Sequence, residues 1–141
     1  MPPTELNRFL AAQTPAVLAA VEAELRAGRK RTHWMWFVFP QLAALGRSET
    51  ARFYGLRDVA EARGYWAHPV LGPRLRLHAE LVLAAPGADA RAIMGSPDDL
   101  KLRSCATLFS LAAPEETVFP AILRRFFGGE GDPLTLSDAS R

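Results

Sequence analysis

The sequence predicts an all-α fold in a single compact domain of about seven helices, several of them short, and three observations carry that expectation. Apolar residues recur at helical spacing along nearly the whole chain, and no segment alternates with period two between hairpin turns. Helix start and stop signals follow one another closely. The 141 residues, 49% hydrophobic and 23% charged, suffice for one core and not for two full domains. A chain of this size buries about 68% of its unfolded surface, so neither a disulfide nor a structural metal is required. The domain is expected to span 1–141, with 1–3 and 137–141 frayed.

Taken in order, a first short helix is expected over Thr4–Ala12. Thr14 then caps a second, with Pro15 at its first position and Gly28 as its stop. Val17, Leu18, Val21 and Leu25 form its apolar stripe. One or two amphipathic turns follow over Ser48–Leu56, and Asp58 with Glu61 three residues on makes a capping-box-like start for a helix ending near Ala67. His68 and Pro69 break it, the imidazole being placed to bond the last carbonyls. Leu71–Leu83 is helical with an uncertain start at Pro73, and Asp89–Met94 is a short helix closed by Gly95. Ser96-Pro97-Asp98-Asp99 combines a serine cap, an N1 proline and two first-turn carboxylates for a helix running to about Leu111. Glu115–Phe127 is apolar on one face, with Pro120 kinking it or delaying its start. Gly128-Gly129 ends it, and Asp132-Pro133 caps a last short turn.

Composition excludes several classes of function. The lone Cys105 permits no internal disulfide and no cysteine-rich zinc cage. There is no 18-residue apolar run, and MPPTELNRFL lacks the profile of a signal peptide, so a cytoplasmic protein with no membrane contact is expected. The net charge of +2 conceals an asymmetry: bases outnumber acids 8 to 4 over 1–57, and acids outnumber bases 11 to 9 beyond. Fifteen of the 17 basic residues are Arg, and only Lys30 and Lys101 are Lys.

Chemistry-bearing residues are densest in Arg29-Lys30-Arg31-Thr32-His33-Trp34-Met35-Trp36-Phe37-Val38-Phe39-Pro40-Gln41. Guanidinium and ammonium groups can hold an anion, indole faces can stack on a ring, and imidazole can move a proton near neutral pH. The same residues also read as a solvated loop running into core aromatics. Trp34 and Trp36, one residue apart, point to different sides, so at most one lies fully inside.

The second motif is Lys101-Leu102-Arg103-Ser104-Cys105-Ala106-Thr107-Leu108-Phe109. Lys101, Ser104 and Thr107 share a helix face as a polar stripe, read either as solvated or as site-forming, beside an apolar stripe of Leu100, Leu102, Cys105, Ala106 and Phe109. A Ser104–Lys101 nucleophilic pair lacks an orienting third group, and Cys105 reads as a small core residue. Capping accounts for Asp98 and Asp99, and His78 reads as a core histidine. No histidine pair has metal-ligand spacing, so no metal and no cofactor are expected. The Gly128–Asp132 loop lacks the lysine of a phosphate loop. A basic run of three residues gives no footprint for DNA, which is not expected as a partner.

The segment from Gly28 to Leu42, with Ala67-His68-Pro69-Val70-Leu71-Gly72, the Gly95–Ser104 run, Thr107-Leu108-Phe109, and Phe126-Phe127-Gly128-Gly129 ending in Asp132, resembles the domain of unknown function 1810 family of small bacterial proteins. The resemblance covers nearly the whole chain, with Pro73 and Pro120 as departures. It implies a compact all-helical fold and no established activity. The name calpastatin often attached to relatives is rejected on composition, since a calpain-inhibitor segment is similar to disordered Lys/Ser/Pro-rich sequence. A more distant likeness is to the NADAR domains, which act on ADP-ribose-derived N-glycosides; it transfers no catalytic residue.

The leading expectation is one pocket for a small anionic or nucleotide-like ligand, where the 28–42 segment meets the 96–109 helix. Arg29, Lys30 or Arg31 with Lys101 would hold the anion, His33 would donate or shuttle a proton, Trp34 or Trp36 would stack, and Ser104 would lie alongside. A NADAR-type hydrolase, which needs an acid in the pocket, and a non-catalytic interaction module are the alternatives.

Overall fold

A computed structural model describes residues 4–140. Among them there is no strand, and ten α-helices and one 3-10 turn occur, seven of the helices having seven residues or more. In order these are α1 (Thr4–Ala12), α2 (Pro15–Ala27), α3 (Met35–Val38), α4 (Glu49–Phe53), α5 (Val59–Ala67), α6 (Leu71–Ala84), α7 (Ala90–Met94), α8 (Asp98–Ala112), α9 (Val118–Phe127) and α10 (Pro133–Ala139), with the 3-10 turn at Ala43–Leu45. The expected fraying of 1–3 lies outside the described residues. Of 137–141, the residues to Ala139 belong to α10.

Most ends form where local chemistry dictates. Thr14, Ser48, Asp58, Asp89 and Asp132 each accept a first-turn N–H through the side chain, at Val17, Ala51, Glu61, Ala92 and Thr135. Gly28 and Gly128 close α2 and α9 in the left-handed conformation. Pro73 and Pro120 fall in the first turns of α6 and α9, where their missing N–H is no loss.

Two capping expectations are corrected. Ser96 does not cap α8: the helix begins at Asp98 with Pro97 as its cap residue, and the carbonyls of Gly95 and Pro97 take the N–H groups of Asp99, Leu100 and Lys101. His68 does not bond the carbonyls ending α5. Its Nδ1 accepts the N–H groups of Val70 at 3.1 Å and Leu71 at 3.2 Å, so it caps the start of α6.

Helix α8 is the hub, packed by α5, α7, α9 and α10, while α6 bridges α2, α5 and α9. Rings run through the core in tilted and edge contacts: Phe9 to Tyr65 at 5.0 Å, Tyr65 to Phe109 at 5.7 Å, and Phe109 to Phe119 at 5.6 Å. Val21 and Leu25 of the α2 stripe are buried, and Val17 and Leu18 only partly so. Leu100, assigned above to an apolar stripe, is 55% exposed, because it faces away from the α8 core. On α9, the Arg125 guanidinium donates to the carbonyls of Val82, Leu83, Ala85 and Gly87. This clamp fixes the α6–α7 linker against α9.

Candidate functional site

The site begins with Glu24, a carboxylate on the buried side of α2. Its Oε1 accepts the N–H of Arg31 at 2.6 Å, the N–H of Thr32 at 3.0 Å and the indole N–H of Trp34 at 3.0 Å. Its Oε2 accepts the Thr32 hydroxyl at 2.6 Å. Burial acts to raise the Glu24 pKa, but the bonds from Thr32, Arg31 and Trp34 outweigh it, and the group is lowered from 4.5 to about 2. Because Glu24 is ionised, it can gather the N–H groups of a segment that has no ladder of its own, and so shape the loop between α2 and α3.

That loop delivers its side chains to α8. Lys30, His33, Met35 and Trp36 from one side, and Ser96, Pro97, Asp98 and Lys101 from the other, line a concavity of about 310 Å³. The Ser96–Pro97 peptide is cis. Lys30 Nζ lies 2.9 Å from Asp98 Oδ2, donates to the Thr32 carbonyl at 2.6 Å and sits 5.0 Å over the Trp34 ring. Lys101 Nζ stands 3.7 Å from Asp98 Oδ1 and 5.5 Å over the Trp36 ring. The Lys101 side chain keeps 24% exposure against 7% for Lys30. Lys30 is therefore committed to the protein, whereas Lys101 retains donors facing the opening. Two ammonium groups meet one carboxylate here, so an anion is favoured.

Lys30, His33, Trp36 and Lys101 thus share one concavity, and the other residues singled out from the sequence lie elsewhere. Arg29 and Arg31 are exposed and do not line it, since it is their backbone N–H groups that hold to α2. Trp34 is 1% exposed with its indole spent on Glu24, so it is a floor beneath Lys30 and not a stacking face. Ser104 is buried, donates to the Leu100 carbonyl at 3.1 Å and lines a neighbouring concavity. The polar stripe of α8 is not solvated past Lys101: Thr107 is also buried, its hydroxyl donating to the Arg103 carbonyl and accepting the Asp132 N–H. The Gly128–Asp132 loop is thereby docked on α8.

Asp98 is the pocket residue the sequence did not single out, because its first-turn place already explained it. The remaining groups stand apart. Burial pushes the Cys105 thiol well up, so it stays a protonated core residue. Burial, aided by the nearby Arg74 charge, lowers His78 to about 4, which keeps it neutral in the core. A further concavity holds Trp66, His68 and Arg76, but the Arg76 guanidinium is engaged by both Glu116 oxygens, at 2.7 and 2.8 Å. Among the described residues no group of three His, Cys, Asp or Glu could hold a metal ion, and no helix is long and apolar enough to cross a membrane.

A family model described as "Protein of unknown function (DUF1810)" matches residues 3–138. The fold is similar to the crystal structure of the conserved hypothetical protein Rv1873 from Mycobacterium tuberculosis, with a TM-score of 0.94 and 46% identity over 99% of each chain. No curated protein matches.

Proposed function

The chain belongs to the DUF1810 family, and from that premise we propose that it is a cytoplasmic domain binding a small anionic, nucleotide-like ligand between the 30–36 loop and the start of α8. The observation that carries this reading is the shared concavity of His33, Trp36 and Lys101, in which Lys101 is a cation with donors to spare. Lys101, its ammonium over the Trp36 ring, takes the anion, and His33 is a proton donor at the rim. Lys30 and Asp98 hold one another and set where Lys101 stands.

Thermal denaturation with millimolar ADP or ADP-ribose tests this. A tenfold excess over Kd is expected to raise Tm by roughly 3–5 °C, and His33→Ala and Lys101→Ala are each expected to shrink the shift. No shift, or equal shifts in the variants, contradicts the pocket.

One observation favours a second reading, hydrolysis of an ADP-ribose-type N-glycoside: an acid, Asp98, shares the concavity with His33. Binding is preferred because the Asp98 carboxylate is turned onto two lysines. Release of free ADP-ribose from NAD, lost in Asp98→Asn, would support hydrolysis instead.

A further inference from the structure

We propose that the site continues past Lys101 into a second lobe, and that its ligand is a two-part molecule whose anionic group sits at Lys101 and whose flat heterocyclic group enters that lobe. This rests on the reading of the first concavity as an anion site.

Pro97 and Lys101 line both concavities, so the two open onto the same lysine. The second is the larger, at about 520 Å³. Its walls come from the 3-10 turn and α4 on one side, α8 on another and the start of α10 on the third. Leu45, Leu100 and Leu134 give it an apolar surface, although Leu100 and Leu134 are 55% and 64% exposed in the free protein. A ring seated there would remove that surface from water. Gln41 also lines the lobe, and its side-chain amide makes no hydrogen bond among the described residues. A free amide offers one donor and one acceptor edge, the complement of a nucleobase edge.

The charge of the lobe agrees. Arg47 and Lys101 are its cations. Its carboxylate, Asp132, is spent on the start of α10, with Oδ2 accepting the Thr135 N–H at 2.8 Å and the Thr135 hydroxyl at 2.7 Å. A neutral apolar ligand would leave the two cations unused, and inorganic phosphate would leave the leucines bare.

Calorimetric titration with pyrophosphate and with ADP separates the claims. ADP is expected to bind at least tenfold more tightly than pyrophosphate. The double variant Leu100→Ala/Leu134→Ala, which alters only exposed side chains, and Gln41→Ala are each expected to remove most of that advantage while pyrophosphate affinity stays unchanged. If both probes bind equally, or ADP keeps its advantage in these variants, the second lobe is refuted and the anion site stands. If neither probe binds, the anion site falls and takes the lobe with it. Concentration-dependent dimerisation abolished by the leucine variant would assign the lobe to a second copy of the chain, and equally overturn the proposal.

Discussion

Glu24→Ala is expected to lose about 3 kcal/mol of unfolding free energy and, in whatever fraction stays folded, to lose the ordered 29–34 segment. The substitution removes the acceptor for the N–H groups of Arg31 and Thr32, the Thr32 hydroxyl and the Trp34 indole. Of these the indole is the costliest to orphan, because Trp34 is 1% exposed and water cannot replace the lost partner. Denaturant titration reads the stability, and amide exchange at Arg31 and Thr32 reads the loop. Unchanged protection there would show that the loop is held by something else. Glu24→Gln, which keeps the shape and one good acceptor, is expected to cost less.

The same carboxylate predicts a pH dependence. Its folded pKa of about 2 lies below the ordinary 4.5, so its contribution is full above the ordinary value and is lost as pH falls from 4.5 toward 2. Across that window the wild type is expected to lose stability faster than Glu24→Gln, and parallel curves would contradict the role given to the bonds.

Gly28→Ala is the second substitution with a large expected effect, about 3 kcal/mol or more. Gly28 has φ of 72°, where an L side chain already costs roughly 1 kcal/mol. A Cβ there would also lie 2.0 Å from the Pro86 carbonyl oxygen. The carbonyl cannot easily retreat, because Arg125 grips those of Ala85 and Gly87 on either side of Pro86. One of the two segments must move, and the one beginning at Gly28 leads straight into the site. Gly64 is the control. It lies inside α5 with nothing within 4 Å of an added Cβ, so Gly64→Ala is expected to stabilise by about 0.5–1 kcal/mol. Similar Tm changes of the same sign in the two variants would refute the steric argument.

What could be read from the chain itself was what local chemistry decides. Thr14, Ser48, Asp58, Asp89 and Asp132 act within their own first turns, so their effect is written in adjacent residues. That at most one of Trp34 and Trp36 lies fully inside was read from their spacing, but which one was not: Trp34 is sealed by its indole bond to Glu24, a partner ten residues back in the chain. Ser96 failed as a cap because backbone carbonyls reached the α8 N–H groups instead. Glu24 left no local signal: its partners lie seven to ten residues on, in a segment without periodicity. An acid one position from Leu25 on an Ala- and Leu-rich helix was the available hint. Within the candidate site, the pairing of the 30–36 loop with α8 was foreseeable from where its charges and rings concentrate. Which cation stays available was not, because Lys30 and Lys101 differ only through Asp98, Thr32 and their degree of burial. The second lobe was hidden for the same reason, as its walls are separated by dozens of residues and meet only in the fold.

The three tryptophans provide the most direct test of where a ligand binds. Trp36 lines the proposed site, Trp34 is sealed beneath it with its indole on Glu24, and Trp66 borders the separate His68–Arg76 concavity. In a proton–nitrogen correlation spectrum titrated with ADP, the Trp36 indole resonance is predicted to shift most and saturably, with Trp66 unmoved. A saturable shift at Trp66 with Trp36 unmoved, or no indole shift under saturating ligand, would contradict the site.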